Sequence, residues 1–273
     1  MLRICSFESR KNEEMRSLVV RLGGQPTVVP SMREVPIGDH TQVFEFAKQL
    51  FSQEIDVIIL QTGVGAKTLL ETLETRFDRP AIVSEFEKST VVIRGPKPQV
   101  VLRDWGIKAD FRAAEPNTWR EVLRVIDAEV PISAKTVAVQ EYGESNTELI
   151  AELENREAVV QSVSIYRWAL PIETGPLRDS IQSAIAGEFD VFLFTSAQQV
   201  NHALQIAEEM GVRSAWLNVL RDSAVCSIGP TCSERLNSFG ISVDLEPSHP
   251  KMGHLVRESI EQAPNILVGK RTG

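Results

Sequence analysis

The chain has 273 residues, 42% of them hydrophobic and 24% charged, with 29 basic against 37 acidic side chains and a formal net charge of −8. That length suits two domains of ordinary size, each able to bury its own core. The acidic balance argues against a nucleic-acid partner, which needs a basic face, but leaves room for a small anion in a locally basic cleft. Three cysteines (Cys5, Cys226, Cys232) without CxxC spacing speak against disulfides and structural zinc. No apolar stretch approaches the roughly 18 residues of a membrane span, and the opening segment Met1–Arg10 carries too short an apolar run for a signal peptide, so a cytoplasmic protein with no membrane partner is expected.

In chain order, Leu2–Phe7 predicts a first strand. Asn12 is placed to cap a helix with Glu13 and Glu14 in its first turn, Met15, Leu18, Val19 and Leu22 on one face, and Gly23-Gly24 as its stop. Thr27–Pro30 predicts a second strand, and residues 31–40, with Pro36 and Gly38, a connector. A helix carrying Val43, Phe44, Ala47, Leu50 and Phe51 leads to the strand Ile55–Leu60, the turn Thr62–Lys67 and a helix through Leu69, Leu70 and Leu73. Thr90–Ile93 is the next strand, and Gly95-Pro96-Lys97-Pro98 opens a helix with Val100, Val101 and Trp105. A short strand near Ala109–Ala113 precedes Glu115-Pro116, after which Asn117 caps a helix buried through Trp119, Val122, Leu123 and Ile126.

The remainder repeats this order. A strand Val137–Gln140, a helix Asn146–Leu153 and a strand Ala158–Val163 run into Ser164–Trp168 and Pro171. A helix near Leu177–Ala186, the strand Val191–Phe194 and a helix through Val200, Leu204 and Ala207 follow. The strand Ala224–Ile228, a helix with Leu236, a strand Ser242–Leu245 and a last helix with Leu255, Val256 and Ile260 complete it, and residues 264–273 read as a frayed tail. Asp56-Val-Ile-Ile-Leu matches Asp190-Val-Phe-Leu-Phe, and Gly95-Pro96 matches Gly229-Pro230, at one offset of 134 (190 − 56 and 229 − 95). Asn12, Met15 and Val19 map at that offset onto Asn146, Leu149 and Leu153, and Glu115-Pro116 onto His249-Pro250. A fixed long offset signals an internal duplication of one α/β unit.

Several chemistries fail on spacing. Thr62-Gly-Val-Gly-Ala-Lys-Thr68 lacks the Gly that a phosphate loop needs before its Lys, and Thr68 breaks a dinucleotide fingerprint. His249 and His254 lack the spacing of a metal motif and read as two unrelated surface histidines, so no metal is assigned. No G-x-S-x-G elbow supports a hydrolase. What remains is four strand-end turns, Gln61–Gly63, Arg94–Lys97, Thr195–Ala197 and Gly229–Thr231, each opening a helix. Their backbone N–H groups, the hydroxyls of Thr62, Thr195, Ser196 and Thr231, and the charges of Arg94 and Lys97 suit a ligand bearing several carboxylates, gripped across a cleft between two lobes. Such turns also occur in any doubly wound fold, where they only close the backbone. Tyr166, one of two tyrosines, falls where the copies join and reads either as a packed hinge residue or as a proton donor.

The order Val28-Val-Pro30, Tyr166-Arg167, Thr195-Ser196 and Ile228-Gly-Pro-Thr231 with Leu236 and Gly240 resembles the uroporphyrinogen-III synthase family, and Thr62-Gly63 and Arg94-Gly-Pro-Lys97 look like one bacterial branch of it. The resemblance implies two doubly wound parallel α/β domains joined by two crossing strands, with residues 1–34 and 170–273 in one domain, 38–166 in the other, and linkers at 35–37 and 167–169. It implies cyclisation of hydroxymethylbilane with loss of water and inversion of ring D through a spiro intermediate, with no cofactor or metal. Tyr166 would assist the leaving hydroxyl, and Thr62, Gly63, Arg94, Gly95, Lys97, Thr195, Ser196, Gly229, Pro230 and Thr231 would bind substrate. A monomer meeting the upstream deaminase only transiently is expected. The competing reading is a two-lobed sensor that binds a tetrapyrrole or another polyanion without catalysis.

Overall fold

A computed structural model describes residues 1–36, 40–141, 143 and 145–272. Its first half runs β1 (Arg3–Ser6), α1 (Asn12–Arg21), β2 (Gln25–Val28), β3 (Arg33–Pro36), α2 (Thr41–Phe51), β4 (Val57–Leu60), α3 (Gly63–Glu74), α4 (Arg79–Phe86), β5 (Thr90–Ile93), α5 (Pro96–Trp105), β6 (Phe111–Arg112) and α6 (Trp119–Glu129). The second runs β7 (Thr136–Gln140), α7 (Thr147–Glu154), β8 (Val159–Val163), β9 (Tyr166–Ala169), α8 (Gly175–Ile185), β10 (Val191–Phe194), α9 (Ala197–Glu209), α10 (Arg213–Asp222), β11 (Ala224–Ser227), α11 (Pro230–Ser238) and α12 (Met252–Thr272). The duplication is plain in the element starts. The pairs β4 and β10, α3 and α9, α4 and α10, β5 and β11, and α5 and α11 begin at 57 and 191, 63 and 197, 79 and 213, 90 and 224, and 96 and 230.

The copies exchange strands. A four-stranded parallel sheet has the order β11-β10-β1-β2, and a five-stranded parallel sheet the order β6-β5-β4-β7-β8. A parallel bridge from Cys226 to Leu245 in the first sheet matches the pairing of Val92 with Phe111 in the second. The chain accordingly divides into a discontinuous unit, Met1–Arg33 with Ala169–Gly273, and a central unit, Glu34–Trp168. The connecting strands β3 and β9 pair with each other. Gly38, where the second domain is expected to start, lies outside the described residues.

Both faces of each sheet are buried, the condition that makes parallel strands read as continuous apolar runs. Side chains alternate across a strand. Ile58 and Leu60 of β4 therefore pack with Phe46, Leu69 and Leu102 on one side, while Val57 and Ile59 pack with Val122, Val139 and Leu149 on the other. In the discontinuous unit Phe192 and Phe194 meet Phe7, Leu177 and Trp216, and Val191 and Leu193 meet Ile4, Leu255 and Val256.

Several predicted details are corrected. Asn12 is the first residue of α1, not its cap; Glu8 Oε1 instead accepts the N–H groups of Arg10 and Lys11 at 3.1 Å each. Asn117 sits at φ +60°, and Thr118 caps α6 in a capping box with Glu121, where side chain and backbone satisfy each other's donors. The buried face of α5 is Pro98, Leu102 and Trp105, with Val100 turned outward. Helices α4 and α10 add elements that the sequence reading passed over, α4 opening on Asp78-Arg79-Pro80. The expected tail is ordered as α12 through Pro264, because Ala263 and Leu267 bury on the helix's inner face.

Candidate functional site

Ligands of open parallel sheets bind beyond the carboxyl ends of the strands, so the candidate residues fall into two groups, one per unit. In the central unit β4 ends at Leu60, and Thr62 caps α3, its Oγ1 accepting the Gly65 N–H at 3.0 Å. Helix α3 thus starts at Gly63 itself, earlier than the expected turn allows. The side chain of Gln140, at the end of β7, reaches under this corner. Its Oε1 accepts the N–H groups of Gln61 (3.3 Å) and Thr62 (3.2 Å), and its Nε2 donates to the Glu141 carbonyl. The Thr62 amide is therefore already engaged, while Gly63 and Val64 in the first turn have no acceptor within their own helix.

Glycine at 63 has a steric cause. A Cβ there would lie 2.9 Å from the Lys97 carbonyl oxygen, so the turns Thr62–Gly63 and Arg94–Lys97 touch through backbone. Gly95, which caps α5, is extended, and a Cβ on it would lie 2.9 Å from Asn117 Oδ1. Lys97 is exposed and Arg94 half-buried. Tyr166, 5% exposed in β9, brings its hydroxyl within 3.5 Å of Thr62 Oγ1 and packs edge-on against Trp168 at 5.6 Å between ring centroids. Thr62, Gly63, Arg94, Gly95, Lys97 and Tyr166 are thus gathered at one corner of the central unit.

The equivalent corner of the discontinuous unit is wired differently. Ser196 caps α9, accepting the Gln198 N–H at 3.2 Å. The Thr195 N–H donates to Gln199 Oε1 (2.8 Å), and its hydroxyl donates to Glu8 Oε2 while accepting from Gln199 Nε2 (2.7 Å). A carboxylate of the chain itself therefore holds the Thr195 hydroxyl. Gly229, at φ +154°, is in the region that favours glycine, and its N–H donates to Ser227 Oγ at 3.3 Å. Pro230 has no N–H to give, and Thr231 is exposed.

Sequence reasoning missed Gln140, Glu8 and Gln199. Only Gln140 left a trace, a polar residue ending the apolar strand Val137–Val139. It also misjudged two histidines. The His249 and His254 rings lie 4.9 Å apart, and Ser248 Oγ reaches Nδ1 of both, at 3.3 and 3.4 Å, so they form one cluster. Among the described residues no group of three metal-ligating side chains is arranged to hold an ion, and no helix is long and apolar enough to cross a membrane.

The family model described as uroporphyrinogen-III synthase HemD matches residues 13–257. The chain belongs to that family. It is 27% identical to the uncharacterized protein YjjA of Bacillus subtilis over 257 residues, 94% of each chain. Its fold is that of uroporphyrinogen III synthase from Thermus thermophilus, with a TM-score of 0.74 at 20% identity, covering 97% of this chain and 100% of that one. The Helicobacter pylori synthase superposes with a TM-score of 0.53 at 14% identity over 96% of this chain. Membership of this family places the protein with tetrapyrrole biosynthesis.

Proposed function

We propose that this member of the family is an active uroporphyrinogen-III synthase, a lyase that closes hydroxymethylbilane to uroporphyrinogen III as a monomer in the cytoplasm, without metal or cofactor. In the first step the C–O bond of the terminal hydroxymethyl group breaks, the hydroxyl leaves as water with a proton from an acid, and an azafulvene cation remains. Ring D then attacks that centre through its substituted carbon, giving the spiro intermediate, and rearrangement with loss of a proton delivers the inverted ring. Spontaneous closure uses the unsubstituted carbon, so the protein's task is to fold the chain and to place one acid.

The observation that carries this reading is the Tyr166 hydroxyl 3.5 Å from Thr62 Oγ1, beside the turn that bears Arg94 and Lys97. A hydroxyl able to donate a proton would then lie near two cationic side chains, an arrangement that suits loss of a hydroxyl from a polycarboxylate. Gly63, Ser196 and Thr231 offer further donors to the carboxylates. Thr195, Gly229 and Pro230 shape their turns more than they bind, because the first two already donate within the chain and the third has no N–H. The test is to supply hydroxymethylbilane and separate the isomers formed. The reading expects isomer III in excess. Isomer I alone, at the spontaneous rate, would leave a non-catalytic tetrapyrrole-binding protein.

A further inference from the structure

Resting on that reading, we infer that Trp168 is a positioning residue for the reaction, holding the Tyr166 phenol in place from within the central unit. Both side chains fall on one face of β9, two residues apart, and pack against the same apolar core. Their rings meet at 89° with centroids 5.6 Å apart, an edge-to-face contact that favours one relative orientation. The backbone beneath them is fixed independently. The Ser164 N–H donates to Gln42 Oε1 (3.0 Å), its hydroxyl donates to Glu141 Oε2 (2.7 Å), and Arg167 pairs with Gly143 in a parallel bridge. Backbone hydrogen bonds do not set the ring, because the second side-chain torsion of a tyrosine is broad. Its setting falls to the side chains packed against it.

Gly143 leaves the indole its place. Its φ is +76°, and a Cβ on it would overlap Cδ1 and Nε1 of Trp168. The duplication supplies a comparison. At the offset of 134, Gly143, Tyr166 and Trp168 correspond to Ser9, Met32 and Glu34 (143 − 134, 166 − 134 and 168 − 134). In that copy a side chain joins the two segments, Ser9 Oγ accepting the N–H groups of Ser31 and Met32 at 3.0 and 3.1 Å. The shared fold is thus served by a serine tie and does not call for an aromatic pair. In the central unit glycine replaces that serine, and the indole takes up the space beside the phenol. The phenol hydroxyl ends 3.5 Å from Thr62 Oγ1, itself fixed as the cap of α3. Displacing a reacting group by about 1 Å can cost roughly 10²-fold in rate, so a wall against this ring bears on turnover as well as on packing.

The test is kcat and KM for hydroxymethylbilane, measured with Tyr166 present and in a Tyr166→Phe background. Trp168→Leu should lower kcat about tenfold while KM stays within about twofold, and Trp168→Phe, which keeps a ring against the phenol, should recover most of the rate. In the Tyr166→Phe background Trp168→Leu should add less than about a twofold loss, because its effect passes through the phenol hydroxyl. Gly143→Ala keeps Trp168 but crowds its indole, and it should slow turnover with the same dependence on Tyr166, so the inference does not hang on one variant folding. Wild-type kcat in both Trp168→Leu and Gly143→Ala, a loss of equal size in both backgrounds, or a raised KM at unchanged kcat overturns the positioning role while leaving Tyr166 and the synthase reading intact. Full activity of Tyr166→Phe alone overturns the assignment of the acid, and the positioning role with it.

Discussion

The two units share one topology, yet their strand-end corners have diverged. The backbone anchors are alike. Asp56 accepts the Thr136 N–H and Asp190 the Arg3 N–H, both at 2.9 Å, while Asp110 and Asp244 accept those of Val91 and Val225 at 2.8 and 2.7 Å. Each carboxylate ties a loop to a neighbouring strand, a job that the sheet imposes on both copies. The corners carry no such duty. The central unit holds Thr62, Arg94, Lys97 and Tyr166 together, whereas the discontinuous unit has placed the acid Glu8 on the Thr195 hydroxyl. A duplicated fold thus keeps what its sheet requires and is free to specialise where strands end.

That contrast can be probed from its largest expected effect downward. All three cysteines lie in the discontinuous unit, each buried. Burial pushes the Cys226 and Cys232 thiols up to about 12, and raises Cys5 as well. Because the thiolate is the reactive form, labelling by a thiol reagent should run at least about 10³-fold slower than for a free cysteine. Under rising denaturant it should report the opening of this unit alone. Rapid labelling of the native protein would show that this core is loose.

Packing separates the units next. Gly63→Ala forces a Cβ to 2.9 Å from the Lys97 carbonyl and should cost about 1–3 kcal/mol, measured by denaturant unfolding. The counterpart, Ala197, already carries that carbon, so Ala197→Gly should cost only about 1 kcal/mol. Equal costs would mean the two corners are equally tight.

Charge comes third. Arg94→Gln with Lys97→Gln should raise KM for hydroxymethylbilane about tenfold with little change in kcat, from the loss of charge-assisted contacts. Thr195→Val should leave KM nearly unchanged, because its hydroxyl serves Glu8. An unchanged KM in the first variant would refute a role for Arg94 and Lys97 in holding substrate carboxylates. The smallest difference lies in the anchors. Asp190 also holds Arg3 Nε (3.1 Å) and Nη2 (2.8 Å), whereas among the described residues Asp56 has no such guanidinium partner. Asp190→Ala should therefore destabilise more than Asp56→Ala, by about 0.5–1 kcal/mol, since that ion pair is partly solvated.

Much of the fold was legible because β4, β5, β10 and β11 are largely apolar runs that give way at Gln61, Arg94, Thr195 and Gly229, and because one offset relates the copies. The caps were not. Asn12 and Asn117 carry a favoured residue type, but Glu8 reaches α1 from outside it, and Asn117 sits at φ +60° while Thr118, in extended geometry, takes the cap. Helix α4 was hidden because Phe86 and Ile82 are its only buried residues, too few to show a period. At the site, the turn residues were readable as strand ends. Gln140, Glu8 and Gln199 were not, because each reaches its turn from a residue distant in the chain or along the helix, by side-chain length that no spacing rule encodes.

The most direct test of the account is the rate and isomer composition of a single turnover of hydroxymethylbilane by Tyr166→Phe. If the central corner supplies the acid, the variant folds normally and turns over about 10²-fold more slowly, within the range of general acid catalysis, with more isomer I escaping. A variant that forms isomer III at the wild-type rate would contradict the assignment of the chemistry to that corner.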